Sequence, residues 1–126
     1  MRQTEYQKDI KKIVKKAKTS MEAIGTYKPQ FDDTIAMYAE TKYQYNKLMQ
    51  EFYSSGCKVT EEYTNKGGAT NIRKTATYLA LETLRKDIIN HESVLGLTPA
   101  GLKKINATES KPKKGKGLAD ALKKLE

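Results

Sequence analysis

The chain has 126 residues, of which 37% are hydrophobic, and it carries a formal net charge of +9. This length suits one ordinary domain with a modest core. No apolar run approaches the roughly 18 residues that a membrane-spanning helix needs, which argues against an integral membrane protein. The N-terminal residues lack the apolar centre of a secretory signal, and the single cysteine, Cys57, cannot form an internal disulfide. We therefore expect a protein of a reducing cytoplasm.

The positive charge is concentrated at the two ends of the chain. Residues 1–28 hold eight basic and three acidic side chains, residues 29–102 hold eight and nine, and residues 103–126 hold eight and three. A nearly neutral middle with two basic ends suits an assembly core that carries phosphate-binding extensions. The same lysines would also keep the ends solvated. Charge alone does not separate these two interpretations.

The first predicted helix covers residues 3–24. At 100° per residue its apolar side chains share one side, and they are Tyr6, Ile10, Ile13, Val14, Ala17, Met21 and Ile24. The other side carries six lysines that we predict to contact DNA phosphates, which are Lys8, Lys11, Lys12, Lys15, Lys16 and Lys18. A packed helix with a merely solvated back is the simpler alternative. Binding to an anionic membrane is disfavoured because the apolar side lacks Trp and Phe.

The second predicted helix lies within YKPQFDDTIAMYAETKYQYNKLMQEFYSSG, residues 27–56. Pro29 bars an upstream continuation, Asp32 or Asp33 is placed to cap the start, and Gly56 should end the helix. Its apolar stripe consists of Ile35, Tyr38, Ala39, Tyr45, Leu48, Met49 and Phe52. We expect the dense tyrosines to fill core and subunit contacts rather than to stack on bases.

A non-helical stretch precedes the third predicted helix. In CKVTEEYTNKGGAT, residues 57–70, β-branched and polar residues alternate before a glycine pair, which predicts a short extended segment or a hairpin. The third helix should run from about residue 72 to residue 95, with Thr70 or Asn71 as its N-cap. One stripe holds Ala76 or Thr77, Leu81, Leu84, Ile88, His91 and Leu95, with Ile72, Leu79 and Ile89 beside it.

No residue pattern indicates catalysis, a cofactor or a metal. GATNIRKT, residues 68–75, is not a Walker-type phosphate loop, because Arg73 stands where that loop needs a glycine. His91 is the only histidine and has no Cys or acidic partner at metal-ligand spacing, so we expect a packed histidine.

The stretch LGLTPAGLKKI, residues 95–105, predicts a sharp corner between two helices. Gly96 is expected to adopt the left-handed conformation after the third helix, and Thr98 and Pro99 should start a short fourth helix. The arrangement resembles a helix-turn-helix, but the second helix is short and offers no Asn, Gln or Arg to base edges. We therefore prefer a structural corner that presents Lys103 and Lys104 to phosphates.

Residues 106–126 are predicted to be a basic tail that follows a helical domain of residues 1–105. The part NATESKPKKGKG has no large apolar side chain and is expected to be a mobile tether. It adds four lysines to the predicted DNA-binding set, Lys111, Lys113, Lys114 and Lys116. The closing LADALKKLE places Leu118, Leu122 and Leu125 at helical spacing, as in a segment that folds on a partner. The alternative that this segment packs against its own assembly is equally open.

The order of these segments resembles the small subunit of tailed-phage terminases, in the branch with an LGLTP signature near the C-terminus. The resemblance rests on FDDTIAMYAETKYQYNKLMQEF, a glycine with a polar extended stretch, GGATN, a long helix and LGLTPAGLKKI, and covers roughly residues 31–105. One departure is Ile72, where the family often has a proline.

The predicted elements make a mainly α protein, with three long helices, a short C-terminal helix and the extended segment or hairpin between helices 2 and 3. The resemblance implies a homo-oligomeric ring of about eight to ten copies. Such rings bind double-stranded viral DNA and deliver it to the terminase large subunit, which holds the ATPase and nuclease sites, in the cytoplasm of the bacterial host. The chain itself would need no catalytic residue, cofactor or membrane. A dimeric nucleoid-type or transcription-regulating DNA-binding protein and a head-assembly adaptor without a nucleic-acid role are the alternatives.

Overall fold

The computed structural model describes residues 4–107. In chain order it contains α1 (Glu5–Ala23), a 3-10 turn (Pro29–Phe31), α2 (Asp32–Ser54), β1 (Thr60–Thr64), β2 (Thr70–Lys74) and α3 (Ala76–Val94). A further helix, α4, spans residues 99–107 and reaches the last described residue. The predicted mainly helical architecture, with a hairpin between the second and third helices, is confirmed. Residues 108–126, which hold most of the predicted tail, lie outside the described residues.

The central helix is α2, which packs against α1 on one side and against α3 on the other. The buried core takes residues from all three helices, and they are Ala17, Met21, Ile35, Tyr38, Ile88 and Leu95. Fully burying a side chain of the size of Met21 or Ile35 stabilises the fold by about 1.5–3 kcal/mol. The predicted stripes therefore point inward where the three helices meet. Leu79 and Ile89, which we placed beside the stripe of α3, are more than half exposed.

Each of the three long helices ends on a glycine with a positive φ, and these are Gly25, Gly56 and Gly96. In α3 the Leu97 N–H donates to the Glu92 carbonyl at 2.7 Å, and the Gly96 N–H donates to the Ser93 carbonyl at 3.1 Å. This pair of bonds is the Schellman motif, which satisfies carbonyls that a helix end otherwise leaves unpaired. The predicted ends at Gly56 and Gly96 are confirmed.

The predicted start of α2 is wrong in one respect. Neither Asp32 nor Asp33 caps the helix, since the N-cap position is Phe31, which makes no side-chain capping bond. The 3-10 turn that begins at Pro29 leads directly into α2, and the Asp32 N–H donates to the Pro29 carbonyl. The helix therefore begins without the extended residue that side-chain capping requires. Asp32 instead accepts a hydrogen bond from the Tyr27 hydroxyl at 2.8 Å.

The predicted start of α3 is also wrong. Residues 70–74 form β2, which pairs antiparallel with β1, so that Ile72 lies opposite Glu62 and Thr70 opposite Thr64. Neither Thr70 nor Asn71 is the N-cap. Thr75 takes that role, and its hydroxyl accepts a hydrogen bond from the Tyr78 N–H at 3.1 Å. The Thr75 N–H also donates to the Val59 carbonyl, so this residue joins the hairpin to α3.

The corner between α3 and α4 has the predicted construction. Thr98 caps α4 by accepting a hydrogen bond from the Gly101 N–H at 3.0 Å, and its hydroxyl lies 3.2 Å from that of Ser93. A Cβ atom on Gly101 would overlap the Ser93 carbonyl, and one on Gly96 would lie 2.7 Å from Cδ1 of Ile105. The two glycines therefore allow α4 to pack closely against the end of α3. Helix α4 continues through residues 106 and 107.

Candidate nucleic-acid interface

The outer side of α1 presents four exposed lysines, Lys8, Lys11, Lys12 and Lys15. The helix begins with a capping box, in which the Thr4 and Gln7 side chains each accept a backbone hydrogen bond from the other residue. The apolar side of the helix faces the core, where Ala17 and Met21 are buried, so the lysines are left on the outer side. Within the described residues, none of the four lysines forms an ion pair. They therefore form a concentrated positive surface, named here the outer lysine cluster.

The other two lysines of the predicted α1 set have different surroundings. Lys18 lies 3.6 Å from the Asp32 carboxylate, and its ammonium group lies 5.8 Å from the centroid of the Tyr27 ring. Lys16 is exposed but lines a groove between α1 and α3, together with Lys42 of α2 and Glu92 of α3. The six lysines thus share a helix without sharing one surface.

The predicted lysines nearer the C-terminus are only partly described. Lys103 and Lys104 are exposed on α4. Because α4 packs beside Gly96 and Thr26, it lies at the end of α1 opposite to Lys8. The remaining predicted DNA-binding residues and the predicted partner-docking residues lie outside the described residues, and they are Lys111, Lys113, Lys114, Lys116, Leu118, Leu122 and Leu125.

The groove between α1 and α3 contains Lys42 and Glu92, which the sequence analysis did not single out. Its floor includes Tyr38, whose hydroxyl donates to the Glu92 carboxylate at 3.0 Å. Burial, followed by the negative charge and the hydrogen bond of Glu92, raises the pKa of Tyr38 far above its ordinary value, so the hydroxyl remains a donor. Lys42 follows Ile35 by seven residues on the buried stripe of α2. A lysine on an otherwise apolar helical stripe is the sequence signal that could have indicated the groove.

The basic side chains of β2 are engaged within the subunit. The Arg73 guanidinium donates to Glu61 at 3.1 Å and lies 3.9 Å from the centroid of the Tyr63 ring. Lys74 donates to Glu82 at 3.0 Å. The Arg73–Glu61 pair links the two strands of the hairpin, and the Lys74–Glu82 pair links β2 to α3. The hairpin is therefore a weaker candidate for phosphate contact than the outer lysine cluster.

The described residues contain no cluster of three or more His, Cys, Asp or Glu side chains able to hold a metal ion. No helix among them is sufficiently long and apolar to cross a membrane. His91 is half-buried, with its ring 6.5 Å from that of Tyr38 and with a buried Nδ1 atom that makes no hydrogen bond.

Comparison with known proteins identifies the family. A family profile described as "phage terminase, small subunit" matches residues 10–112. Comparison with curated proteins and with solved structures gave no match. The matched range begins within α1 and includes α2, the hairpin, α3 and the whole α3–α4 corner. The chain therefore belongs to the family of phage terminase small subunits.

Proposed function

We propose that this chain is the non-catalytic, DNA-binding subunit of a phage packaging motor. It binds the double-stranded DNA concatemer and delivers it to the terminase large subunit in the host cytoplasm. The observation that carries the proposal is the outer lysine cluster of α1, combined with membership of the small-subunit family. Within that family we place the chain in the branch with the LGLTP signature, on the stretch LGLTPAGLKKI.

The geometry of the outer lysine cluster suits a row of phosphates. Lys8 is three and four residues before Lys11 and Lys12, and Lys15 is four and three residues after them, so the four lie on one side of the helix. The first and last are about 10 Å apart along the helix axis. Like charges at such spacings destabilise a helix unless a counter-charge is present. A DNA backbone supplies that counter-charge and releases condensed ions on binding. The same lysines offer no planar hydrogen-bonding group for base edges, so binding should be mainly independent of sequence.

We further propose that the subunits form a closed ring of about eight to ten copies. Large apolar side chains remain exposed on α2, on α3 and on the hairpin. Met37 of α2 is 61% exposed and Ile72 of β2 is 74% exposed, and Tyr53, Tyr63, Leu79, Ile89 and Val94 are exposed as well. A two-stranded hairpin with both faces in water is only marginally stable alone. Contacts between neighbouring subunits would cover these residues.

The tail supplies two further parts of the proposal. Lys111, Lys113, Lys114 and Lys116 add to the phosphate-binding charge, together with Lys103 and Lys104. Leu118, Leu122 and Leu125 form an apolar stripe that we assign to contact with the large subunit. Several tails in one ring would raise the effective concentration of this contact at the motor.

The DNA contact is tested with two triple variants that remove the same charge. One changes Lys11, Lys12 and Lys15 to Gln, and its control changes the exposed Lys58, Lys66 and Lys86, on the hairpin side and on α3, to Gln. Affinity for double-stranded DNA is measured over a range of salt concentrations. The α1 variant should weaken binding equally on all sequences and reduce the slope of log K against log salt by roughly 0.9 for each lost contact.

The control variant should retain most of the affinity and most of the slope. Both variants should keep the assembly size of the parent protein, which size-exclusion chromatography checks. Equal losses of DNA affinity in the two variants would mean that net charge alone explains the effect. Unchanged affinity in the α1 variant would mean that this helix does not hold the DNA site.

A further inference from the structure

A groove runs over the surface of α2, between α1 and α3. Its volume is about 470 Å³, and its lining includes apolar side chains of α1 and Leu97, which lies three residues after the end of α3. These apolar residues are Ile13, Ala17, Ile24 and Leu97. Lys16 and Lys42 lie among them, and Glu92 is the one acidic residue among the described residues of the lining. The groove therefore offers an apolar surface with an excess of positive charge.

The described chain ends close to this groove. Leu97 lines the groove, and α4 begins two residues later at residue 99. Near the other end of α4, Ile105 lies against Gly96, which is adjacent to Leu97. Residue 107, the last described, is thus two residues from a side chain that packs beside the groove. The next ten residues can span at most about 36 Å, which exceeds the length of α1, about 28 Å. Every part of the groove is within reach of the segment that follows them.

That following segment fits the groove in pattern and in length. Residues 118–125 place Leu118, Ala121, Leu122 and Leu125 at the i, i+3, i+4, i+7 spacing of one helical face. As a helix these eight residues measure about 12 Å, and the groove wall from Ile13 to Ile24 measures about 16 Å. Glu126 follows on the flank of the stripe and is an acidic partner for Lys16 or Lys42.

We propose that residues 118–125 dock as a short amphipathic helix in the α1–α3 groove of their own subunit. A segment this short is not a stable helix in water without a surface to pack on. The connection through residues 108–117 would keep it at a local concentration in the millimolar range. The docking needs neither DNA nor the large subunit, but it uses the same leucines that the proposed function assigns to the large subunit. A partner that takes the segment would have to displace it from the groove.

Engineered cysteines in the full chain test the proposal. Cys57, which is exposed, is first changed to Ser so that no native thiol competes. In that background Leu122→Cys is combined with Ser20→Cys, whose side chain lines the groove. The matched control combines Leu122→Cys with Thr19→Cys, which is the preceding residue and faces the outer side of α1 with Lys11 and Lys15. Both α1 positions are exposed, so neither change disturbs the core.

Under mild oxidation the groove pair should close an intrachain disulfide at least roughly tenfold faster than the control pair. Non-reducing gels and intact mass of the denatured chain separate intrachain from interchain products. A parallel pair, Leu118→Cys with Ser20→Cys, covers the opposite direction of the docked helix. Equal rates for both groove pairs and the control would overturn the proposal. Crosslinks formed only between chains would also overturn it, and would assign the groove to a neighbouring copy.

Discussion

Two glycines shape the α3–α4 corner at the level of single residues. Gly96 has φ +74°, a conformation that L side chains rarely adopt, and Ile105 occupies the space where its Cβ would lie. Gly101 sits against the Ser93 carbonyl, and Thr98 caps the helix that contains it. The LGLTPAGLKKI stretch therefore encodes a close helix–helix contact. Its lysines are exposed on α4 as a result of this packing.

The first residue-scale prediction concerns Gly101→Ala. The added methyl group must displace the backbone of Ser93, which should lower the free energy of unfolding by about 2–3 kcal/mol. The matched control is Gly67→Ala in the hairpin turn, where the added Cβ meets only Oδ1 of Asn65, at 3.4 Å. This control should stay within about 0.5 kcal/mol of the parent protein.

Urea denaturation of both glycine variants at one protein concentration checks the difference, because the stability of an oligomer depends on concentration. Equal stability of the two variants would mean that the corner is not packed as described.

The second residue-scale prediction separates the observed N-cap of α3 from the expected one. Thr75→Ala removes the hydroxyl that accepts from Tyr78 and that donates to the Lys58 carbonyl, so the protein should lose about 1 kcal/mol or somewhat more. Asn71→Ala changes an exposed residue of β2 and should cost less than about 0.5 kcal/mol. Thermal unfolding of the two variants provides the measurement. The reverse order of stability would restore Asn71 as the cap.

At the scale of elements, the sequence predicts those features that residues close together in the chain determine, such as helical spacing and helix ends. The apolar spacing of α1 and the glycines after α2 and α3 carry strong signals, so the presence of the three helices and the ends of α2 and α3 are confirmed. The predicted helix from about residue 72 is wrong for residues 72–74, because their extended conformation depends on pairing with β1 across the Asn65–Ala69 turn. The role of Asp32 was missed for a similar reason, since the 3-10 turn and the hydroxyl of Tyr27 decide it.

The same distinction applies to the candidate site. Periodicity placed six lysines on one side of α1, and four of them form the outer lysine cluster. Lys18 pairs with Asp32 and Lys16 faces the groove, because α2 and α3 lie where they do. No single-helix pattern contains that information. The groove itself exists only because α1 and α3 pack on the same helix.

At the scale of the whole molecule, the outer lysine cluster and the exposed apolar side chains of α3 have separate locations. The outer lysine cluster lies on α1, whereas the exposed Leu79, Ile89 and Val94 lie on α3, which packs on the other side of α2. One subunit can therefore contact its neighbours through α3 and the hairpin while α1 stays accessible to DNA. In a closed ring this arrangement would repeat the lysine cluster once per subunit, so that many weak phosphate contacts act together.

Native mass spectrometry of the full chain, with and without a short DNA duplex, tests the central claim most directly. The proposed function predicts one closed homo-oligomer of about eight to ten copies in the absence of DNA, and the same oligomer carrying bound duplex when DNA is added. The duplex-bound species should decline steeply as the ammonium acetate concentration rises, because phosphate contacts dominate binding. A protein that remains monomeric or dimeric at micromolar concentration, with or without the duplex, would contradict the proposed function.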